Sequence, residues 1–278
     1  MPARRSLNGA IVVIAAVTLT FGGAHALEEM KYPDWQGQWT NASGGHFDPS
    51  KPAMKQEVPL TPEYQAIYEA GVADEAAGGQ GNDPMYRCIP PGMPRTMMVY
   101  QGMEIAITPN MTYIMVEVLN QLRRIHTDGR DWPSDIDPAF VGYSIGKWVD
   151  EAGDGRYDTL LVETLGMKGP RVFDSTGIPL HKDNETIVKE RIYIDHADRD
   201  LLRDEITTID HALTHPWTVT RSYRREHNPV WTEQICAEDN HHVVIGTQNY
   251  VLSGDGYLMP ARKDQPPPDL RYFNRTPK

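Results

Sequence analysis

Cysteine, excess positive charge and long apolar runs are all scarce in this sequence. It has two cysteines in 278 residues, and its formal net charge is −11 at pH 7. Because phosphate binding depends on Lys and Arg, we do not expect such an acidic chain to bind nucleic acid. The apolar run over residues 9–21 is shorter than the roughly 20 residues that cross a bilayer. No membrane span is therefore expected.

Familiar catalytic fingerprints are also missing. The sequence contains no phosphate-binding loop, no dinucleotide fingerprint and no H-E-x-x-H zinc motif. Residues 142–146, GYSIG, approach the nucleophile elbow of serine hydrolases, but a strand-like segment follows where that elbow needs a helix. Function has to be sought in looser groupings of residues.

The first residues have the form of a secretory signal peptide. Arg4 and Arg5 precede the apolar run, and Ala24-His25-Ala26 fits the A-x-A cleavage rule. We predict a signal peptide over residues 1–26 and a periplasmic or secreted protein; a buried N-terminal helix is the alternative. Residues 27–278 are expected to form a single domain with a Pro-rich C-terminal tail.

Cys88 and Cys236 are predicted to form a disulfide, because two cysteines in an oxidising compartment most often pair. Closing so long a loop contributes about 4–5 kcal/mol in the chain-entropy account. Two alternatives stay open at this point. Cys236 lies near His241 and His242, which together suggest a metal site, and a catalytic thiol would need a positioned base.

Short β-rich segments separated by turns dominate the chain. Their regular spacing favours antiparallel strands over βαβ units. In addition, Gly37-Gln38-Trp39 resembles the G-x-W that opens lipocalin barrels, where the Trp closes one barrel end and the Gly permits close backbone approach. We predict a mainly β fold, an antiparallel lipocalin-like β-barrel, with a β-sandwich as the alternative. The predicted strands are 35–40, 104–108, 112–119, 121–127, 143–150, 158–165, 186–195, 201–210, 217–226 and 231–237.

One N-terminal helix is predicted over about residues 62–77. Thr61-Pro62-Glu63 reads as N-cap, first helical residue and first-turn acid, and Gly78-Gly79 ends the helix. Tyr64, Ile67, Tyr68 and Val72 recur at helical spacing, so we expect them to form its packing face.

The stretch RRIHTDGRDWP, residues 123–133, is the first candidate site. Strand alternation places Arg124, His126, Asp128 and Arg130 on one face. In that arrangement His126 is predicted to act as acid and base, Asp128 to orient it, and Arg124 or Arg130 to stabilise an anion. The alternative is a charged turn at 127–130, in which Asp caps the turn and Gly supplies positive φ.

Three further residues are predicted to line a ligand cavity. Glu190 lies inside VKERIYI, with apolar neighbours on both sides, so it is expected to point inward and to pair with Arg124 or Arg130. Tyr143 and Trp148 of GYSIGKW are the other ligand-binding candidates.

The acidic segment DEAGDGRYD, residues 150–158, is a candidate calcium-binding site. Asp150, Asp154 and Asp158 match three ligand positions of an EF-hand loop, but other positions lack ligands. An acidic hairpin tip is the plainer interpretation, and a non-EF calcium site is the alternative. No other cofactor is predicted. A zinc site would need histidines such as His181, His211 and His215 to converge from distant segments, and it is the weaker possibility.

Several blocks together resemble a family of uncharacterised secreted bacterial proteins. The matching blocks are RCIPPGMPR (87–95), RRIHTDGRDWP (123–133), GYSIGKW (142–148), DTLLVET (158–164), the segment 174–184, HPWT (215–218) and CAEDN (236–240). The resemblance implies secretion and favours a functional role for the charged stretch, but it implies no activity.

Three functions are compatible with these observations. The first is binding of a small apolar or aromatic molecule in the barrel cavity, with no nucleic-acid partner. The second is a cofactor-independent lyase, isomerase or hydrolase that uses the His126, Asp128 and Arg130 cluster in the same cavity. The third is a structural protein of the envelope. Oligomeric state is not predicted.

Overall fold

A computed structural model describes residues 31–44, 57–98 and 101–269. The predicted signal peptide at 1–26 and the tail beyond 269 lie outside these residues. Among the described residues, no helix combines the length and the apolar character needed to cross a membrane.

A closed barrel of nine strands forms the body of the protein, which confirms a mainly β fold and the barrel over the sandwich. Strand β1 pairs with both β2 and β9 and so closes the ring. The strands are β1 Gly37–Asn41, β2 Met103–Thr108, β3 Met111–Val116, β4 Gln121–His126, β5 Tyr143–Val149, β6 Thr159–Leu165, β7 Ile187–Ile194, β8 Leu201–Ile209 and β9 Trp217–Arg225.

The barrel departs from a purely antiparallel one at a single joint. Strands β4 and β5 run parallel and pair only at Ile125–Ser144 and His126–Ile145, whereas the other neighbouring pairs are antiparallel. The physical reason is the length of the connection over residues 127–142, which crosses back to the starting end as parallel pairing requires. We call this β4–β5 joint the seam.

Alternating residues of the strands fill the barrel. On β8, for example, Leu202, Asp204 and Ile206 are fully buried, while Arg203 and Glu205 between them are partly exposed. Trp35 and Trp39 close one end: both are almost fully buried, and the Trp39 indole donates to the Trp35 carbonyl at 2.8 Å. Glycine suits position 37 because the backbone there has a positive φ of 106°. A Cβ at this position would meet no atom within 4 Å, so the close approach of another backbone segment, which the sequence led us to expect, is not the reason for the glycine.

Helix α1, Pro62–Ala76, confirms the predicted helix. The Thr61 hydroxyl accepts from the Tyr64 N–H as its N-cap. Its packing face differs from the predicted one. Tyr64 and Gly71 are buried, but Ile67 and Val72 are 38% and 46% exposed. The helix meets the barrel end through its first turn, since Thr61 N–H bonds the Ala212 carbonyl.

The predicted strand at 231–237 is wrong. Residues 226–235 are irregular, and a short helix α2, Cys236–Asp239, follows. The pairing of β1 with β9 closes the ring, so no free edge is left for a further strand. A separate antiparallel sheet instead forms from β10 His242–Ile245, β11 Gln248–Leu252 and β12 Leu258–Pro260, which were not predicted.

The predicted disulfide is confirmed. Cys88 and Cys236 are joined, with a Cα–Cα distance of 5.5 Å and a sequence separation of 148. The bridge ties α2 to the short 3-10 helix at Pro84–Arg87. Nearby, the rings of Tyr86 and His242 meet edge to face at 5.3 Å, and Arg262 pairs with Asp74. The C-terminal sheet is therefore fastened beside α1.

Candidate functional site

The charged stretch is divided by the barrel wall. Arg123 and Ile125 point inward, with 1% and 0% exposure, whereas Arg124 is exposed on the outer face. The predicted alternation is thus correct, but the inward face is the other one. Arg124 does not line the barrel interior, because β4 places Gln121, Arg123 and Ile125 there.

Arg123 forms a buried ion pair with Glu190. Its Nη1 donates to Glu190 Oε1 at 2.7 Å, its Nη2 bonds Oε2, and Nη2 also donates to Thr164 Oγ1 at 3.0 Å. Burial alone would lower the pKa of Arg123, but Glu190 raises it above its usual value, so the guanidinium stays charged. Glu190 points inward as predicted, but its partner is Arg123 rather than Arg124 or Arg130.

Asp204 of β8 completes this interior cluster. It is fully buried, and neither of its oxygens accepts a hydrogen bond from the described residues. Burial raises the pKa of Asp204 well above its usual value; the Glu190 charge raises it further, and Arg123 opposes this. The folded protein therefore favours the neutral form of Asp204. Arg123 and Glu190 compensate each other's charge in the interior, and Asp204 and Arg221, register partners on β8 and β9, are buried as well.

The GYSIGKW segment is spread over both faces of β5. Ser144 is buried mid-strand and shares a hydrogen bond with Thr164 at 2.8 Å, so it is not the exposed nucleophile of a hydrolase elbow. Trp148 points inward and packs on Trp35, with ring centroids 4.8 Å apart. Tyr143 is half-buried, and its ring stacks on that of His126 at 4.7 Å.

On the outer surface the stretch forms the charged turn that was the alternative prediction. Gly129 has a φ of 76°, and Arg130 Nε and Nη2 donate to the two oxygens of Asp128 at 2.9 and 2.6 Å. These bonds from Arg130 hold the pKa of Asp128 at about 2. Asp128 is therefore paired with Arg130 and does not orient His126.

His126 has a different environment from that of a catalytic base in a cavity. Its Nδ1 is buried and has no hydrogen-bond partner among the described residues. Burial, followed by the charge of Arg130, lowers its pKa, so the ring is neutral at pH 7. The expectation that Arg124, His126, Asp128 and Arg130 line one cavity is wrong, since Arg124, Asp128 and Arg130 are exposed outside the barrel.

In the part of the chain that the structure describes, the barrel interior is filled by side chains. The void beneath Trp35, which Met97, Ile114 and Tyr223 also line, is too narrow to admit a water molecule. Side chains from all nine strands fill the remaining space, as in other small barrels. Binding inside the barrel, as the sequence led us to expect, would need these side chains to move.

A groove of about 830 Å³ lies instead at the barrel end that Trp35 closes. We call it the mouth groove. Its walls come from the β5–β6 connection at 151–159, the β7–β8 turn at 193–200, and residues 33–35. Volumes of ~300–1,000 Å³ are typical of small-molecule sites. Trp35, Tyr157 and Tyr193 give it an aromatic lining.

The groove's charged side chains differ in whether they are already paired. Arg191 bonds Glu151, and Arg225 donates to two backbone carbonyls, those of Asp34 and Gln36. By contrast, Arg156 and Arg199 have no hydrogen-bond or ion-pair partner among the described side chains, and both are exposed. The groove therefore presents unpaired guanidiniums beside aromatic rings.

The acidic tip forms one wall of the mouth groove. Asp150 Oδ1 and Oδ2 accept from the N–H groups of Gly153 and Gly155 at 2.6 and 2.8 Å. Asp158 accepts from Ala152 and Glu151; burial opposes its ionisation, but these bonds hold its pKa below the usual value. The oxygens of Asp150, Asp154 and Asp158, all within the described residues, do not gather closely enough to share a cation. A calcium site here stays a prediction.

No protein-family model matches the chain, and no curated protein matches it in sequence. The resemblance to secreted bacterial proteins therefore stays a prediction. The assignment of function therefore depends on the geometry of the molecule.

Sequence reasoning missed two acidic residues, Asp204 and Asp183. Asp204 occupies an inward position in the pattern Leu202, Asp204, Ile206, so strand alternation contained a signal for it. Asp183 lies together with His181 and His211, two of the histidines that the sequence analysis considered for a zinc site. These residues are 28 positions apart at their widest gap, and only the barrel brings them into contact.

Proposed function

We propose that this protein is an exported β-barrel that binds a small aromatic molecule with an acidic group in the mouth groove. The observation that carries the proposal is the contrast between a filled interior and an open groove of about 830 Å³ at the barrel end. This retains the predicted class of ligand and moves its site from the barrel cavity to the barrel mouth.

Two features of the groove support this class of ligand. Tyr157 and Tyr193, both partly exposed, offer ring surface for an aromatic molecule. Arg156 and Arg199 supply unpaired positive charge, which suits a carboxylate or sulfonate.

A pair of matched fluorescent probes tests the proposal. 8-Anilinonaphthalene-1-sulfonate is an aromatic anion, and N-phenyl-1-naphthylamine is its neutral counterpart. We expect the anion to bind saturably at one site. Arg199→Ala should weaken binding of the anionic probe about tenfold, because a hydrogen bond to a charged group contributes roughly 1.5–3 kcal/mol. It should leave binding of the neutral probe unchanged. Tyr157→Ala should weaken both probes.

Arg124→Ala is the control, because Arg124 is exposed on the barrel wall and does not line the groove. It should bind both probes like the unchanged protein. Saturable binding that survives both groove substitutions would place the ligand elsewhere, and the absence of saturable binding would remove the proposal.

Export rests on the N-terminal pattern and on the Cys88–Cys236 bridge, since disulfides persist in oxidising compartments. Expression of the whole chain in a Gram-negative host, followed by fractionation and mass determination of the N-terminus, tests it. We expect periplasmic protein that begins at Leu27. An uncleaved chain in the cytoplasm, with reduced cysteines, would contradict export.

A further inference from the structure

Two imidazoles and a carboxylate meet at the barrel end opposite the mouth groove. His181 and Asp183 precede β7, and His211 follows β8, whereas the turn between these strands lines the groove. Asp183 Oδ2 lies 2.8 Å from His181 Nδ1 and 2.5 Å from His211 Nδ1. One ligand atom from each residue lies within 4.8 Å of the others.

The two loops that carry these residues are held together by a buried network. Asp210 Oδ1 accepts from the N–H groups of His181 and Ala212 at 2.9 and 2.8 Å. Its Oδ2 accepts from Thr186, which in turn accepts from Arg171 at 2.5 Å. Arg171 also donates to the His181 carbonyl at 2.9 Å. Because Asp210, Thr186 and Arg171 are all at least nine-tenths buried, the loops are fixed in this relation.

Local hydrogen bonds prepare both His181 and Asp183 as ligands. The Asp183 N–H donates to His181 Nδ1 at 3.2 Å, which makes that nitrogen an acceptor. Asp183 Oδ1 accepts from the Glu185 N–H at 3.0 Å, so Oδ2 is the oxygen turned to the imidazoles. His181 Nδ1 and Asp183 Oδ2 lie 2.8 Å apart, so a single cation can bridge them.

We propose that His181, Asp183 and His211 bind a divalent transition-metal ion of the zinc class. Neutral imidazoles and a carboxylate suit such an ion, and calcium and magnesium prefer all-oxygen sites. Three protein ligands leave a coordination position for water or substrate, as in catalytic rather than structural zinc sites.

Accommodating the ion takes only a small movement. Ligand atoms about 2.0–2.1 Å from a tetrahedral zinc ion are roughly 3.3 Å apart, slightly more than the distances here. The His211 side chain is 65% exposed and free to turn outward by that amount. Glu185 Oε2 lies 3.9 Å from His211 Nδ1 and adds negative charge beside the site.

The experiment uses the full chain without a polyhistidine tag, stripped with a chelator and titrated with Zn²⁺ by calorimetry. Co²⁺ gives a second readout, because its visible absorption reports nitrogen and oxygen ligation. We expect one equivalent of either ion to bind. His211→Ala and Asp183→Asn should each weaken the affinity for Zn²⁺ by at least about tenfold. Even the loss of a residue that only hydrogen-bonds a metal ligand typically lowers metal affinity about 10–100-fold.

His215→Ala is the matched control, because His215 is exposed four residues along the same loop and lies outside the three-residue group. It should bind like the unchanged protein. Zn²⁺ affinity that both site variants retain, or that His215→Ala loses equally, would overturn the proposal, as would the absence of any binding. The mouth-groove probes report on the other barrel end, so either proposal can fail without the other.

Discussion

Two adjacent arginines show how sharply the barrel wall separates environments. Arg123 is 1% exposed and spans from β4 to Glu190 on β7, while Arg124 is exposed to solvent. Strand geometry makes this division, because successive side chains leave opposite faces. A charge inside the wall must be matched there, and one outside it is hydrated.

Arg123→Ala should therefore destabilise the fold far more than Arg124→Ala. Removing one partner of a buried pair leaves Glu190 uncompensated and costs about 3–5 kcal/mol. Exposed substitutions stay within about 0.5 kcal/mol. The free energy of unfolding in urea measures both. Replacing the pair with Arg123→Met and Glu190→Leu together should recover much of the loss; equal losses in the two single variants would contradict the assigned faces.

Asp204 gives the cluster a pH dependence. Burial raises its folded-state pKa above the ordinary value of 3.8, so between the two pKa values the folded state holds a proton that the unfolded state has released. Stability contributed by this group is then complete at acid pH and is lost as the pH rises toward the folded-state pKa.

Asp204→Asn should remove that loss, because an amide does not ionise. We expect the free energy of unfolding of the variant to increase relative to that of the unchanged protein as the pH rises from about 4 to 8. Urea unfolding at several pH values measures the difference. The exposed Asp131→Asn is the control, and it should follow the profile of the unchanged protein. Parallel profiles for Asp204→Asn would show that Asp204 is ionised when folded.

At the scale of elements, the seam between β4 and β5 is the barrel's least paired joint. It has two register pairs, while β7 and β8 share eight. Side chains cross it on both faces. Inside, Arg123 reaches Thr164 of β6 beyond the seam, and outside, His126 of β4 stacks on Tyr143 of β5. The charged stretch thus fastens the seam where backbone bonds are few.

Tyr143→Ala should loosen the seam locally. Aromatic pairs contribute about 0.5–1.5 kcal/mol beyond burial, so exchange of the Ile125 and Ser144 amides should quicken by up to about tenfold. Hydrogen exchange with mass spectrometry measures this. Tyr257→Ala, at a ring that is 73% exposed in the C-terminal sheet, should leave the seam unchanged. Unaltered exchange in Tyr143→Ala would mean that the interior cluster holds the seam alone.

At the scale of the whole molecule, the barrel separates two chemistries. One end carries the aromatic mouth groove, and the other carries the histidine and aspartate group beneath α1. A packed wall and a packed interior lie between them. The disulfide adds a constraint outside the barrel, because the Cys88–Cys236 bridge closes a loop worth about 5 kcal/mol in the chain-entropy account.

Local signals were enough for most of the elements. Alternation and turn residues predicted the nine barrel strands, and the Thr61 cap predicted α1. They failed where strand pairing or helix packing with a distant segment decides the local structure. Residues 231–237 were predicted as a strand but have no free edge to pair with, and Ile67 and Val72 match a helical stripe yet face solvent. Neither failure is visible in the residues themselves.

The sequence by itself determined the fold class, the cysteine pair, the turn at Gly129 and the separation of Arg123 from Arg124, because each depends on neighbouring residues or on composition. Only the tertiary structure decided which of those arginines lies inside. It also decided that β4 and β5 are parallel, that the barrel is filled, and that His181 meets His211. These outcomes depend on closing the ring, which sets the inward face of every strand and joins segments that are far apart in the chain.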